Sequence, residues 1–260
     1  MKKVIFLGLL VSFLGVTTHS IAQANYSLRK YQHVKSFYQG ISTKATELCL
    51  KNNIPPAALL AITGLESGWD SGYIGQITGN ILSLGLRKGD IELPALRLPR
   101  LRTTNKILFD SLAIVKYAAT ELKWENRPES LKKDYRPKHI AGTSYQLAYF
   151  KYHPTEKTAA QIANINDFVT VFIGRNSRLK AYRNARKKMD KLVAIHGKKI
   201  LLKEQTAIDF VHEIGGKPNS YNFRETWPKK VIYIIKKAGL SQLTLYLFEG
   251  KSFEHAWNQY

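Results

Sequence analysis

Ile54-Pro55-Pro56-Ala57-Ala58-Leu59-Leu60-Ala61-Ile62-Thr63-Gly64-Leu65-Glu66-Ser67-Gly68-Trp69 is the stretch around which this chain is organised. The two prolines suit the first turn of a helix, where a missing N–H leaves no intrahelical bond unmade, and Leu59, Ile62 and Leu65 follow at helical spacing. Gly68 stops the run, so the pattern predicts a helix that closes with Glu66 in its last turn. The carboxylate would stand at the negative end of the helix dipole and beside the indole of Trp69, two surroundings that disfavour its charged form. A carboxyl that keeps its proton near neutrality meets the requirement for a general acid in glycoside cleavage. A glutamate in a last turn is, however, most often a solvated surface residue, so the string needs support from the rest of the chain.

Three strings in order supply it. The first is Ile54 to Trp69 followed by Gly79-Asn80-Ile81-Leu82-Ser83-Leu84-Gly85; the second runs from Phe168 to Tyr182; the third is Tyr221-Asn222-Phe223-Arg224-Glu225-Thr226-Trp227. Together they resemble the bacterial glucosaminidase family, peptidoglycan-cleaving endo-β-N-acetylglucosaminidases related to lysozyme in fold. In that family an apolar helix ending in a Glu-Ser-Gly-Trp-like string precedes a Gly-Asn-Asn-Leu-Phe-Gly-like one. A helix-loop-helix then ends in an Asn-x-x-x-Ala-Tyr-like string, and a late tyrosine is followed six residues on by an aromatic that opens the last helix. Here Ile81 replaces the second Asn and Ser83 the Phe. The resemblance covers the chain from about residue 45 onward, except 91–150.

The resemblance implies an α+β fold, mainly α and lysozyme-like, with a small β-hairpin or loop lobe beside the catalytic helix. It makes Glu66 the acid, sets Tyr221 in the active site near it, and gives Trp69, Asn80 and Trp227 to the substrate cleft. For Trp69 a place as core filler, and for Asn80 a turn after Gly79, stand beside the functional reading. The family draws a second acidic residue from the β region. Asp90 and Glu92 are the candidates, with Asp110 weaker because it fits a helix start; the substrate's own N-acetyl group is the alternative.

The first 24 residues read as an export leader: Lys2 and Lys3, an uncharged run from Val4 to Val16, then Ala22-Gln23-Ala24 as a small-residue cleavage site. The run is too short to span a bilayer and no cysteine stands at the cleavage site, so an exported chain from Asn25 to Tyr260, periplasmic or cell-wall associated, is expected. Cys49 is alone, which excludes an intramolecular disulfide and suits a small buried hydrophobe. The formal charge is +21, and in an exported protein such an excess favours envelope polyanions such as peptidoglycan glycan strands over nucleic acid. The seven histidines show no metal-ligand spacing, and no phosphate-cradling glycine loop or Gly-x-Ser-x-Gly elbow is present, so no metal or cofactor is expected.

Along the chain, residues 25–53 read as a helical lead-in with Phe37, Ile41, Ala45 and Leu48 inward. Residues 71–103 read as a loop or hairpin lobe, and Ser111 as the cap of a helix with Leu112, Val115, Ala119 and Leu122 inward. The stretch 124–142 reads as a loop-rich insertion, with helices again at 158–173, 178–195, 204–214 and 228–238. The tail from Leu243 to Phe248 alternates in a way that allows a strand or a tight helical turn. The expected activity is a peptidoglycan endo-β-N-acetylglucosaminidase, with a lytic transglycosylase as the rival enzyme. A catalytically weakened wall-binding or assembly protein of the same fold is the rival from another class.

Overall fold

The computed structural model describes residues 26–259; the leader expected over 1–24 lies outside them. The described chain is mainly helical with one two-stranded antiparallel sheet. In order come α1 (Gln32–Lys51), α2 (Pro56–Ser67), α3 (Tyr73–Thr78), β1 (Leu96–Leu101), α4 (Ser111–Ile114) and β2 (Leu122–Arg127). There follow α5 (Tyr149–Tyr152), α6 (Pro154–Asp167), α7 (Lys180–His196), α8 (Glu204–Ile214), α9 (Trp227–Lys237), α10 (Leu240–Phe248) and α11 (Phe253–Asn258). Among the described residues no single helix is long and apolar enough to cross a membrane.

The core is built around α2. Pro55 caps it, Pro56 sits in its first turn, and every residue from Pro56 to Gly64 is buried. A helix that is apolar all round has no face to offer water. It is enclosed by α1, α8, α9 and α10. α1 contributes Val34, Phe37, Tyr38, Ile41 and Ala45, with Cys49 rather than Leu48 at the fully buried position. On α7, Tyr182, Ala185 and Met189 face inward, and the intervening basic residues 183, 187, 188 and 191 are exposed. The alternating tail resolves as helix α10, whose Leu240 and Leu243 complete the core.

α2 ends in an abrupt turn. Gly68, Trp69 and Asp70 all have positive φ, at 58°, 50° and 66°. For the two non-glycine residues this conformation costs about 1–2 kcal/mol each. Local bonds hold it: Trp69 N–H donates to the Gly64 carbonyl at 3.0 Å, the Trp69 indole donates to Tyr38 Oη at 3.2 Å, and Asp70 N–H donates to Ser67 Oγ at 3.0 Å. Asp70 also pairs with Lys157 of α6.

After α3 the chain makes a buried polar clamp. Asn80, 3% exposed, donates to the carbonyls of Leu84 (2.9 Å) and Lys133 (3.0 Å). Its Oδ1 accepts from Leu84 N–H (2.8 Å) and from Asn164 Nδ2 (3.0 Å), and Asn164 Oδ1 accepts from Leu82 N–H (2.9 Å). The amide is fully used in tying the 80–84 loop to α6, so of the two readings of Asn80 the structure gives the turn.

The lobe from 91 to 150 is where the expected helix fails. Only Ser111–Ile114 is α-helical, Asp110 rather than Ser111 caps it by accepting from Leu112 N–H (3.0 Å), and Leu112 and Val115 are 61% and 77% exposed. Leu122 instead starts β2, opposite Leu101 of β1, and Leu122, Leu101 and Leu108 form a small core of their own. Strand pairing at Leu122 wins over the helical spacing because the pairing buries it and the helix would not. The β2 strand also runs on to Arg127, into the stretch 124–142 expected to be loop.

The two described ends meet. Arg29 is 6% exposed and its guanidinium donates to the carbonyls of Ala238 (2.9 Å) and Gly239 (3.1 Å) at the end of α9, and of Ala256 (3.2 Å), Trp257 and Gln259 (3.1 Å) at the end of α11. Its cation also stacks on Tyr26 and Trp257.

Two substitutions check this account. Asn80→Ala leaves several buried amides and carbonyls without partners, which costs about 1–3 kcal/mol or more in net stability; a lower urea midpoint is the expected result, and an unchanged midpoint would contradict the clamp. Gly215 lies under the Trp227 ring, where a Cβ would come within 2.2 Å of Cζ3. Its φ of −146° suits any residue, so Gly215→Ala tests packing alone. Overpacking of this kind costs about 1–3 kcal/mol, and a lower melting temperature with an altered tryptophan emission is expected.

Candidate functional site

Glu66 leaves the last turn of α2 half-buried, and the indole that meets it is that of Trp227, whose Nε1 donates to Glu66 Oε1 at 2.9 Å. This corrects the expected pairing with Trp69. The left-handed turn carries Trp69 away, and its indole binds Tyr38 Oη and lies edge-on to His33. Trp227 is 3% exposed, at the first position of α9, and tilts against Tyr221 with ring centroids 5.4 Å apart.

Tyr221 is held by its backbone, whose N–H donates to the Ile214 carbonyl at 2.7 Å, and by its ring, edge-on to Phe168 at 5.8 Å. Its hydroxyl donates to the Leu82 carbonyl. The late segment is therefore latched to the loop after α3, and Tyr221 holds two parts of the site together.

Glu66 and Tyr221 line a cleft of about 390 Å³, with Trp227 bonded to Glu66 outside its lining. Glu66 faces Ser83, Leu84, Gly85 and Lys132 of the lobe, with Tyr182, Ser220, Tyr221 and Asn222 of the helical body also lining it. Burial raises the Glu66 pKa above its ordinary value of 4.5, and the Trp227 hydrogen bond and the charges of Lys132 and Arg224 offset part of that rise. Burial, and secondarily the Glu66 charge, pushes the Tyr182 and Tyr221 hydroxyls far above 10, so both remain hydrogen-bond donors. The arrangement is a desolvated acid beside neutral phenols and an indole N–H, able to deliver a proton to a bound oxygen and to receive one afterwards.

The remaining acidic candidates are not brought to this cleft. Burial pushes the Asp90 carboxyl up, but hydrogen bonds from Lys133 and Arg87 outweigh it and hold Asp90 below its usual value. It pairs with Arg87 at 3.1 Å and Lys133 at 3.0 Å, and both cations also bind Asp167, so the group is neutralised inside the lobe's root. Glu92 accepts from Leu131 N–H, which spends it on a loop. Asp110 caps α4 and pairs with Lys151 at 2.6 Å, lining a separate groove of about 610 Å³ walled by Trp124, Tyr145 and Tyr152.

Two cleft residues escape the sequence reading. Tyr182 closes the second string, but nothing there points to Glu66. Lys132 carries no motif; only the pairing of residue 132 opposite Gly85 brings it to the cleft. Among the described residues no group of three or more histidines, cysteines or acids is placed to hold a metal ion. No protein-family model, curated protein or solved structure matches this chain, so the reading of its chemistry rests on the residues and geometry above.

Proposed function

We propose that this protein is an exported peptidoglycan hydrolase with a lysozyme-like fold, an endo-β-N-acetylglucosaminidase that uses Glu66 as its general acid. The observation that carries the reading is the desolvated Glu66 carboxyl, fixed by Trp227 at the wall of a cleft between the helical body and a small β-containing lobe. The three sequence strings support it because they converge there: the α2 end, the loop after α3, Tyr182, and the segment from Tyr221 to Trp227 all border one cleft or latch across it.

In this mechanism Glu66 gives its proton to the leaving glycosidic oxygen as the C1–O bond breaks, and the resulting carboxylate accepts a proton from the incoming nucleophile. Glu66 is the one carboxylate among the described residues that line the cleft. A separate protein base is therefore not supplied by Asp90 or Glu92, and the positive charge at C1 is met by the substrate's own N-acetyl oxygen. The same observation favours a second reading. In a lytic transglycosylase the single glutamate takes a proton from the C6 hydroxyl, which closes an anhydro ring in place of attack by water. Mass spectrometry of digested sacculi separates the two by the loss of water in the anhydro product.

Glu66→Gln removes the proton and keeps a carbonyl for the Trp227 N–H. Turnover on sacculi is expected to fall by about 10²–10⁴, measured by zymography and dye release, and activity within a few-fold of the parent would remove Glu66 from the mechanism. The sign of its pH linkage follows from the raised pKa. Between 4.5 and the higher folded value the native state holds the extra proton, so the glutamate's contribution to stability is present below 4.5 and lost as pH rises through the folded value. The parent should thus lose stability relative to Glu66→Gln as pH rises through this window, with the two converging at lower pH in thermal melts; kcat/KM of the parent should fall over the same rise as the acid of the free enzyme ionises.

Tyr221→Phe deletes the latch to Leu82 and keeps the ring. A stability loss of about 0.5–1.5 kcal/mol, one hydrogen bond, is expected, with turnover lowered by about tenfold. A variant that melts early yet hydrolyses normally when folded would make Tyr221 a packing residue alone.

A further inference from the structure

Lys132 and Lys133 are neighbours with opposite fates. Lys133 turns inward and is consumed by Asp90 at 3.0 Å and Asp167 at 2.7 Å. Lys132 lines the Glu66 cleft, and among the described residues no carboxylate lies within ion-pair distance of it. It is not loosely placed. Its backbone bridges to Gly85 across an antiparallel pair, its N–H donates to Ser130 Oγ at 3.2 Å, and its Nζ donates to the Ser83 carbonyl at 2.7 Å. One of the three ammonium donors is thereby spent on positioning, leaving two for a ligand.

Glu66 and Lys132 are the charged residues among those lining the cleft. They are too far apart to form an ion pair, yet close enough for the lysine charge to lower the Glu66 pKa. An anchored cation without a protein counter-ion, facing the same space as the acid, is complementary to an anion carried by the substrate near its scissile bond. A strand of N-acetylglucosamine alone has no such group; a muramic-acid-containing strand has carboxylates, on the lactyl ether where the peptide is absent and on the stem peptide where it is present. We infer that Lys132 is a specificity residue that receives a glycan-borne carboxylate and selects anionic, muramic-acid-containing strands over neutral ones. The inference rests on the proposed glycan-cleaving reading of this cleft.

The test measures kcat and KM of the full exported chain on three soluble substrates: neutral N-acetylglucosamine oligomers, peptide-stripped glycan strands with free lactyl carboxylates, and strands that keep their stem peptides. The parent is expected to prefer at least one anionic strand over the neutral oligomer, the stripped or the peptide-bearing arm naming the carboxylate used. Lys132→Met should reduce that preference by about tenfold, mainly through KM. Lys132→Arg should restore most of it, and rising salt should erode it in the parent. A fall of equal size on all three substrates, together with a shifted pH profile, would show that Lys132 acts only through Glu66 and would overturn the inference. A parent that cleaves all three without preference overturns it too and leaves the proposed function standing. A parent that cleaves none overturns both.

Discussion

A helix buried on every side fixes what surrounds it. From Pro56 to Gly64 every residue of α2 is buried, and α1, α8, α9 and α10 close around it. Such a helix can turn a polar side chain outward only near its ends. At the N-terminal end two prolines remove two backbone donors that would otherwise need partners; at the C-terminal end the chain turns left-handed at Gly68 and Glu66 emerges beside Trp227 of α9 and the cleft. The desolvation that raises the Glu66 pKa is therefore a by-product of the packing that defines the core.

The site is assembled from segments far apart in sequence, and the joints are single hydrogen bonds. Trp227 reaches Glu66, Tyr221 reaches the Leu82 carbonyl, and Lys132 reaches the Ser83 carbonyl. Beneath them the amide of Asn80 and its partner Asn164 fix the loop to α6 with no donor to spare for a ligand. A cleft made this way has rigid walls and few adjustable groups. The charged ones are divided cleanly: Asp90, Asp167, Arg87 and Lys133 neutralise one another at the lobe's root, while Glu66 and Lys132 face the open space.

Much of the helical body was legible because its helices are capped or stopped by recognisable residues and bury one periodic face. The α2 start at Pro55-Pro56 and its stop at Gly68, and the α9 run after Trp227, follow that rule. A small β-containing lobe was legible, but its second strand was not, because residues 111–122 carry a helical spacing by coincidence while Leu122 is claimed by Leu101 across the sheet, a partner no local pattern names. The same limit applies to the site. Glu66 stood out by its place at a helix end, but which of two tryptophans would meet it depended on the positive φ of Trp69, and β-branching or periodicity says nothing of that. Asp90 and Glu92 matched by position, and only the surrounding cations and the Leu131 amide show that both are already engaged.

Arg29 closes the molecule in time as well as in space. Its guanidinium needs carbonyls from Ala238 to Gln259, at the opposite end of the chain. A polypeptide made from its N-terminus presents this cation 209 to 230 residues before its acceptors. Until then the arginine remains hydrated and α1 has no α10 and α11 to pack against. The packing of α10 and α11 on α1 is thus a non-local contact, made only after residues 238–259 have emerged, and contacts of such sequence separation are slow to form.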